Sequence, residues 1–187
     1  MCGNVWEFVG GLRFLAGEVQ IIPNNEAAAG ADQSRDSKEW TPIYTVDGNA
    51  ISYGCGAVPK ETQNSNFHTG ISENNIPIKE EIRIISSPSN EKVYINALFT
   101  DLNNSEIAAP YKLLQLGLYP SPDYEKKDRF YLHVDKNDER CVSRGGGWGN
   151  ELYAGIFALN ASNTRTDRYT NIGFRLAYVR YFEEATT

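Results

Sequence analysis

Residues 144–175 read RGGGWGNELYAGIFALNASNTRTDRYTNIGFR, and two kinds of residue alternate along them. Arg144-Gly145-Gly146, Trp148, Ala154 to Leu159 and Ile172-Gly173-Phe174-Arg175 have the character of framework, small residues for tight turns and apolar ones for a core. Between them lie Gly147, Gly149 to Tyr153 and Asn160 to Asn171, which are polar, small or aromatic and lack any periodicity of their own. A rigid frame carrying chemically miscellaneous loops is a common way to build a binding surface. The palette of Tyr, Asn, Ser, Thr, Gly and Arg suits recognition at low entropic cost. On this reading Trp148, Phe157, Leu159, Ile172 and Phe174 are buried. Gly147, Gly149, Asn150, Leu152, Tyr153, Asn160, Asn163, Asp167, Arg168, Tyr169 and Thr170 form one exposed ligand-binding patch, anchored by Tyr153 and Tyr169, with Arg168 facing an acidic partner.

Outward from that stretch, the chain reads as short strands and loops. Leu12–Leu15 and Val19–Ile22 alternate around a glycine-containing turn, which predicts a β-hairpin. Ala27 to Ala29 followed by Gly30 hints at a helical turn, and another is expected from Ser37 to Trp40, with Trp40 reaching into the core. An Asp47-Gly48 turn joins two short strands, 43–46 and 50–53. Residues 54–78 read as loop. The runs 80–86 and 92–98, separated by Ser87-Pro88-Ser89-Asn90, predict a second hairpin. The one helix of any length is expected within 105–118, best over Pro110 to Leu116, with Gly117 to stop it. Asp123 to Arg129 reads as a charged loop, and Phe130 to Val134 as a strand.

At 187 residues the chain is long enough to bury a core, and a single domain over 1–187 is expected. The net charge of −6 and the lack of any basic run longer than two residues argue against a nucleic-acid surface. No apolar run is long enough to span a membrane as a helix. Cys2, Cys55 and Cys141 are too few and too scattered for a disulfide framework, and they are expected to be free and non-catalytic. The glycines of 145–149 lack both the Gly-Lys-Ser/Thr ending of a phosphate loop and the spacing of a dinucleotide fingerprint. His68 and His133 have no local metal-ligating partners, and neither forms a local pair with a cysteine.

Three blocks, taken together, carry a resemblance: Gly3-Asn4-Val5-Trp6-Glu7-Phe8, then Arg144-Gly145-Gly146-x-Trp148, then Ile172-Gly173-Phe174-Arg175-Leu176-Ala177. Their order resembles the formylglycine-generating-enzyme group of C-type lectin folds, over roughly a third of the chain. The resemblance implies an α+β, C-type-lectin-like domain of short strands, loops and few helices. The elements that precede the first block in that group are expected to be missing here, so the domain is expected to be N-terminally truncated. The group's oxidising enzymes carry catalytic cysteines shortly after the second block. Residues 149–163 contain none, so the expectation is that the chain is not an enzyme. Some members bind calcium around the first block, which would place ligands at the Gly3 and Val5 carbonyls and the Glu7 side chain, hard oxygens of the kind calcium prefers.

Within that group, Ala154 to Asn160, the polar and aromatic insertions and Asn171 to Arg175 resemble the variable proteins of diversity-generating retroelements. This resemblance implies a phage tail or bacterial surface protein whose residues 144–175 are diversified for ligand binding. Its implied partner is a protein or glycan on a host or neighbouring cell surface, and a homo-oligomer is compatible with it. Two rivals stand beside this reading: a sulfatase-modifying domain of the formylglycine-generating type, and a non-binding structural domain of a larger tail protein.

Overall fold

In a computed structural model, residues 4–44, 48, 50–55, 82–85, 93–103, 111–134 and 138–173 are described. They are mostly β-sheet with a few short helices, a composition of α+β type. The first strand, β1 (Trp6–Leu15), is the longest. It turns through Ala16-Gly17 into β2 (Glu18–Ile21), in the register Leu12↔Ile21 to Leu15↔Glu18, which is the expected first hairpin. Both turn residues have positive φ, 51° and 86°, the primed geometry whose twist matches that of paired strands. Gly10-Gly11 does not divide the strand. The register with its other neighbour slips between Phe8 and Arg13, so the glycines sit in a bulge within one continuous strand.

The remaining strands are β3 (Thr41–Pro42), β4 (Ser52–Cys55), β5 (Ile82–Ile85), β6 (Val93–Leu98), β7 (Arg129–Val134), β8 (Glu139–Arg144), β9 (Leu159–Asn163) and β10 (Ile172–Gly173). Their order is β5-β4-β2-β1-β8-β9-β7-β6, with β3 beside β2 and β10 parallel to the start of β1. This corrects the expected second hairpin. β5 pairs with β4 and β6 pairs with β7, at opposite ends of the order. Alternation marks a strand but does not name its partner. Tyr44 bridges Ala50, with Gly48 between them, while 45–47 and 49 lie outside the described residues.

One face of the sheet is apolar. Phe14, Tyr53 and Phe130 lie at its centre, Tyr53 edge-on to Phe14 at 5.5 Å and stacked with Phe130 at 5.7 Å. Each such buried side chain contributes roughly 1.5–3 kcal/mol. Burial pushes the Tyr53 phenol far up, and its hydroxyl donates to the Leu118 carbonyl at 2.7 Å. That carbonyl follows α2 (Tyr111–Gln115), the realised part of the expected helix; 104–110 lie outside the described residues. Gly117 stops α2 as expected. At φ 60° it lets Leu118 N–H reach the Leu113 carbonyl at 2.8 Å and its own N–H reach Leu114 at 3.0 Å, with Leu113 and Leu118 both buried. The first helix, α1 (Glu26–Ala29), is the alanine turn before Gly30.

The opposite face of the sheet is polar and covered by loops. Arg13, buried there, donates to Glu139 at 2.8 Å, Gln20 at 2.8 Å and the Arg35 carbonyl at 2.6 Å. Trp40 stacks on its guanidinium, 4.4 Å from the ring centroid, and gives its indole proton to the Ser34 carbonyl. Trp40 therefore does not enter the apolar core, and 37–40 form turns without a helix. An indole whose N–H needs an acceptor is better placed over a cation than among leucines.

A candidate binding surface on the turn between β8 and β9

Arg144 ends β8, and its guanidinium closes the end of α2, donating to the carbonyls of Leu116 at 2.7 Å and Gly117 at 3.1 Å. Burial pulls its pKa down to about 10, which leaves it charged at neutral pH. The cation is opposite in sign to the partial negative charge of the helix's carboxyl end. The chain then turns sharply. Gly146 has φ 77°, and a Cβ there would stand 2.6 Å from that of Ala154. Trp148 N–H binds the Asn4 carbonyl at 3.0 Å, and Asn150 Oδ1 accepts Gly147 N–H at 2.8 Å. Residues Trp148–Tyr153 form a 3-10 turn broken at Glu151, which is held at φ 47°, ψ −120°. A non-glycine residue there carries strain of about 1–3 kcal/mol.

The return into β9 is fixed by Asp128. Its carboxylate accepts the Tyr124 hydroxyl at 2.7 Å and Phe157 N–H at 3.0 Å, and a Cβ on Gly155 would collide with it. Phe157 then stacks on Phe99 at 5.7 Å and meets Tyr124 edge-on at 5.0 Å. Asp128 and Arg129, assigned to a charged loop in the sequence, are thus buried parts of the frame.

This frame holds up a set of apolar side chains. Trp148 is 72% exposed, Leu152 81%, Ile156 68% and Tyr169 57%, with Tyr153 beside them. Among the described residues only Tyr44 and Tyr111 are further large apolar side chains so exposed. The Tyr169 turn is fastened at the same end of the sheet. Ile172 N–H binds the Tyr169 carbonyl, the Asn171 carbonyl accepts Trp6 N–H at 2.8 Å, and Asn171 lies against Gly147.

The residue classes need correction in both directions. Trp148 and Ile156, assigned to framework, are exposed; Leu159 is buried, and Phe157 and Ile172 are half-buried. Gly147 and Asn163, assigned to the patch, are buried. Gly147 is packed between Trp6 and Asn171, where a Cβ would meet them at 3.3 and 3.5 Å. Gly149, Leu152, Tyr153, Arg168, Tyr169 and Thr170 are exposed, and Asn150 is half-buried with its amide donating to the Tyr131 hydroxyl at 3.4 Å. Asn160 is half-buried, its Oδ1 accepting both the N–H and the hydroxyl of Ser162.

Nor do all of these positions gather at one place. β9 runs antiparallel to β8, so Asn163 lies opposite Cys141, at the far end from Arg144. From there Thr164–Asp167 fold over the polar face. Thr164 N–H binds Asp167 Oδ2 at 2.8 Å, and Arg165 forks onto both oxygens of Glu139. Glu139 is buried between Arg165 and Arg13. Burial alone raises its pKa, but the two guanidiniums outweigh that, and the net shift is downward. Asp167 is therefore a turn-closing residue, remote along the sheet from Trp148.

Phe174 and Gly3 lie outside the described residues, as do Cys2, His68 and 56–78. Of the two remaining expected calcium positions, Val5 has its carbonyl near Gly145, and Glu7 lies in register between Arg144 and Gly173. No three His, Cys, Asp or Glu side chains gather as a metal site among the described residues. Cys141 is free and half-buried, and burial pushes its thiol up, away from a reactive thiolate. His133 lies edge-on to Tyr94 at 6.1 Å within the sheet.

These features define a mostly β chain of α+β type with few short helices, none long and apolar enough to cross a membrane among the described residues. An apolar display stands on the turn between β8 and β9. Compared with models of known protein families, the chain matches none, and no curated protein is significantly similar to it in sequence.

Proposed function

We propose that this chain is a ligand- or receptor-binding protein with a C-type-lectin-like scaffold, a variable protein of a diversity-generating retroelement acting at a phage tail or bacterial surface. The observation that carries this reading is the concentration of exposed Trp148, Leu152, Tyr153 and Ile156 on the short turn after β8, with exposed Tyr169 on a second turn fastened at the same end of the sheet. Exposed aromatic and aliphatic side chains standing together are what anchor a partner, whereas scattered ones need no explanation. Braces below the display, at Arg144, Asp128 and Gly146, allow its tips to change without loss of the fold. The working surface is then Trp148 to Ile156 with Arg168, Tyr169 and Thr170, and Asn160, Asn163 and Asp167 support it.

The genomic surroundings test the retroelement part. A repeat nearly identical to the codons for 144–175, differing only where the repeat has adenine, with a reverse transcriptase gene close by, is the expected result. A complete genome with neither overturns it. The absence of cysteine from 149–163 weighs against the oxidase rival, and a cysteine-peptide oxidation assay is expected to show no turnover.

A further inference from the structure

Arg129 begins β7 and alternates with the core residues Phe130 and Leu132, so it shares the polar face of the sheet with Tyr131. Asn96, paired with Tyr131 on β6, lies on that face too. Arg129 is only 7% exposed, yet its Nη1 has no hydrogen-bond partner, and neither has Oδ1 of Asn96. A buried guanidinium nitrogen left unmatched is unfavourable unless something else completes it. Its neighbour Asp128 points to the other face and is committed to Tyr124 and Phe157. No carboxylate among the described residues pairs with Arg129.

What covers Arg129 is the display itself. The Tyr153 ring lies over the guanidinium, 4.3 Å from its carbon to the ring centroid. The Tyr131 hydroxyl accepts the Asn150 amide, which leaves its own proton to be donated. Burial raises the Tyr131 phenol and the Arg129 charge draws it back down, so the two groups sense one another. The Asn96 amide, with its oxygen and nitrogen exchanged, would present a further donor. Tyr153 also ends the turn that is strained at Glu151.

We propose that Arg129, with Tyr131 beside it and Tyr153 as its lid, is a subsite for a carboxylate group of the bound ligand. The planar fork of one guanidinium matches a carboxylate, and its single charge balances one. Arg13 and Arg165, the other guanidiniums the structure places on this face, are held by Glu139. That leaves the single charge of Arg129 here, a closer balance for a carboxylate than for a phosphate dianion. The occupant's being part of a displayed ligand rests on the binding function proposed above.

The test uses the full chain labelled with nitrogen-15, following the Arg129 Nε–H resonance during titration with sodium acetate, against sodium chloride at equal ionic strength and against acetamide. A saturable shift with acetate alone is expected. It should be lost in Arg129→Gln, weakened in Arg129→Lys, and reached at severalfold lower acetate in Tyr153→Ala, which lacks the lid. N-acetylglutamate and glucuronate distinguish an acidic side chain from a sugar acid as the source, and the tighter of the two names it. An equal response to chloride or acetamide, or a saturable acetate response surviving in folded Arg129→Gln, overturns the subsite. Should Arg129→Gln not fold, Tyr153→Ala decides, since no saturable response in that open variant also overturns it. Failure here leaves the display itself standing, because binding through Trp148 and Leu152 is read by a separate selection.

Discussion

The turn after β8 and the segment after β9 belong to one stretch of sequence and share much of their composition, yet they are held in opposite ways. From Trp148 to Phe157 the backbone is held at its two ends, at Trp148 by the Asn4 carbonyl and at Phe157 by Asp128, and the large side chains of Trp148, Leu152 and Ile156 are left outside. From Asn163 to Asp167 the side chains are themselves the fastening, with Arg165 on Glu139 and Asp167 on Thr164. Backbone bracing frees the identity of the side chain, and side-chain bracing fixes it. Trp148, Leu152 and Ile156, the most exposed side chains of the first region, are expected to vary at small cost. Its Asn150 and Tyr153 are instead engaged with Gly147, Tyr131 and Arg129, as Arg165 and Asp167 are engaged in the second region.

The largest effect is expected where side chains do the fastening. Glu139→Ala leaves Arg13 buried without its carboxylate and releases Arg165, and should lower stability by about 3 kcal/mol in chemical denaturation, near the usual cost of breaking a buried pair. A loss below about 1 kcal/mol would erase the contrast between the regions. Phe157→Ala comes next. Phe157 is only half-buried but lies between Phe99 and Tyr124, so a loss of about 2 kcal/mol is expected, below the range for a fully buried aromatic.

Acid sharpens the same comparison. Glu139 has a lowered native pKa, so its stabilisation is fully present above the ordinary carboxylate value of 4.5 and is lost as pH falls through the lowered value. Hydrogen exchange should therefore rise first in 31–40 and 163–167 on acidification, and later at 148–153. In Glu139→Gln that acid-sensitive step should vanish. The smallest effect belongs to the display: Trp148→Ala and Leu152→Ser should each shift stability by less than about 0.5 kcal/mol. If Trp148→Ala unfolds the protein, the tryptophan is frame after all.

Local pattern made part of this legible. The hairpin of β1 and β2, the stop of α2 at Gly117 and the strand Phe130–Val134 follow from alternation and from glycine at a turn. Two things were not legible. The partners of β5 and β6 depend on contacts far along the chain, which a period of two does not encode. The division of 144–175 into frame and display rested on equating apolar with buried and polar with exposed. Trp148 and Ile156 break the first half of that rule, Asn163 and Asp128 the second. A binding surface and a buried polar network are the two places where the rule is expected to fail. Arg129 was missed for the same reason, since a charge in a run of charges reads as solvated.

The most direct test randomises Trp148, Leu152, Tyr153, Ile156 and Tyr169 together in one library, and Asn163, Arg165 and Asp167 in another. Both are screened for folding and then selected against a panel of proteins and glycans. The account predicts that most of the first library folds with melting temperatures near that of the parent chain and yields binders of new specificity, while most of the second fails to fold. Equal tolerance in the two libraries, or a first library that folds and yields no binder to any member of the panel, would contradict it.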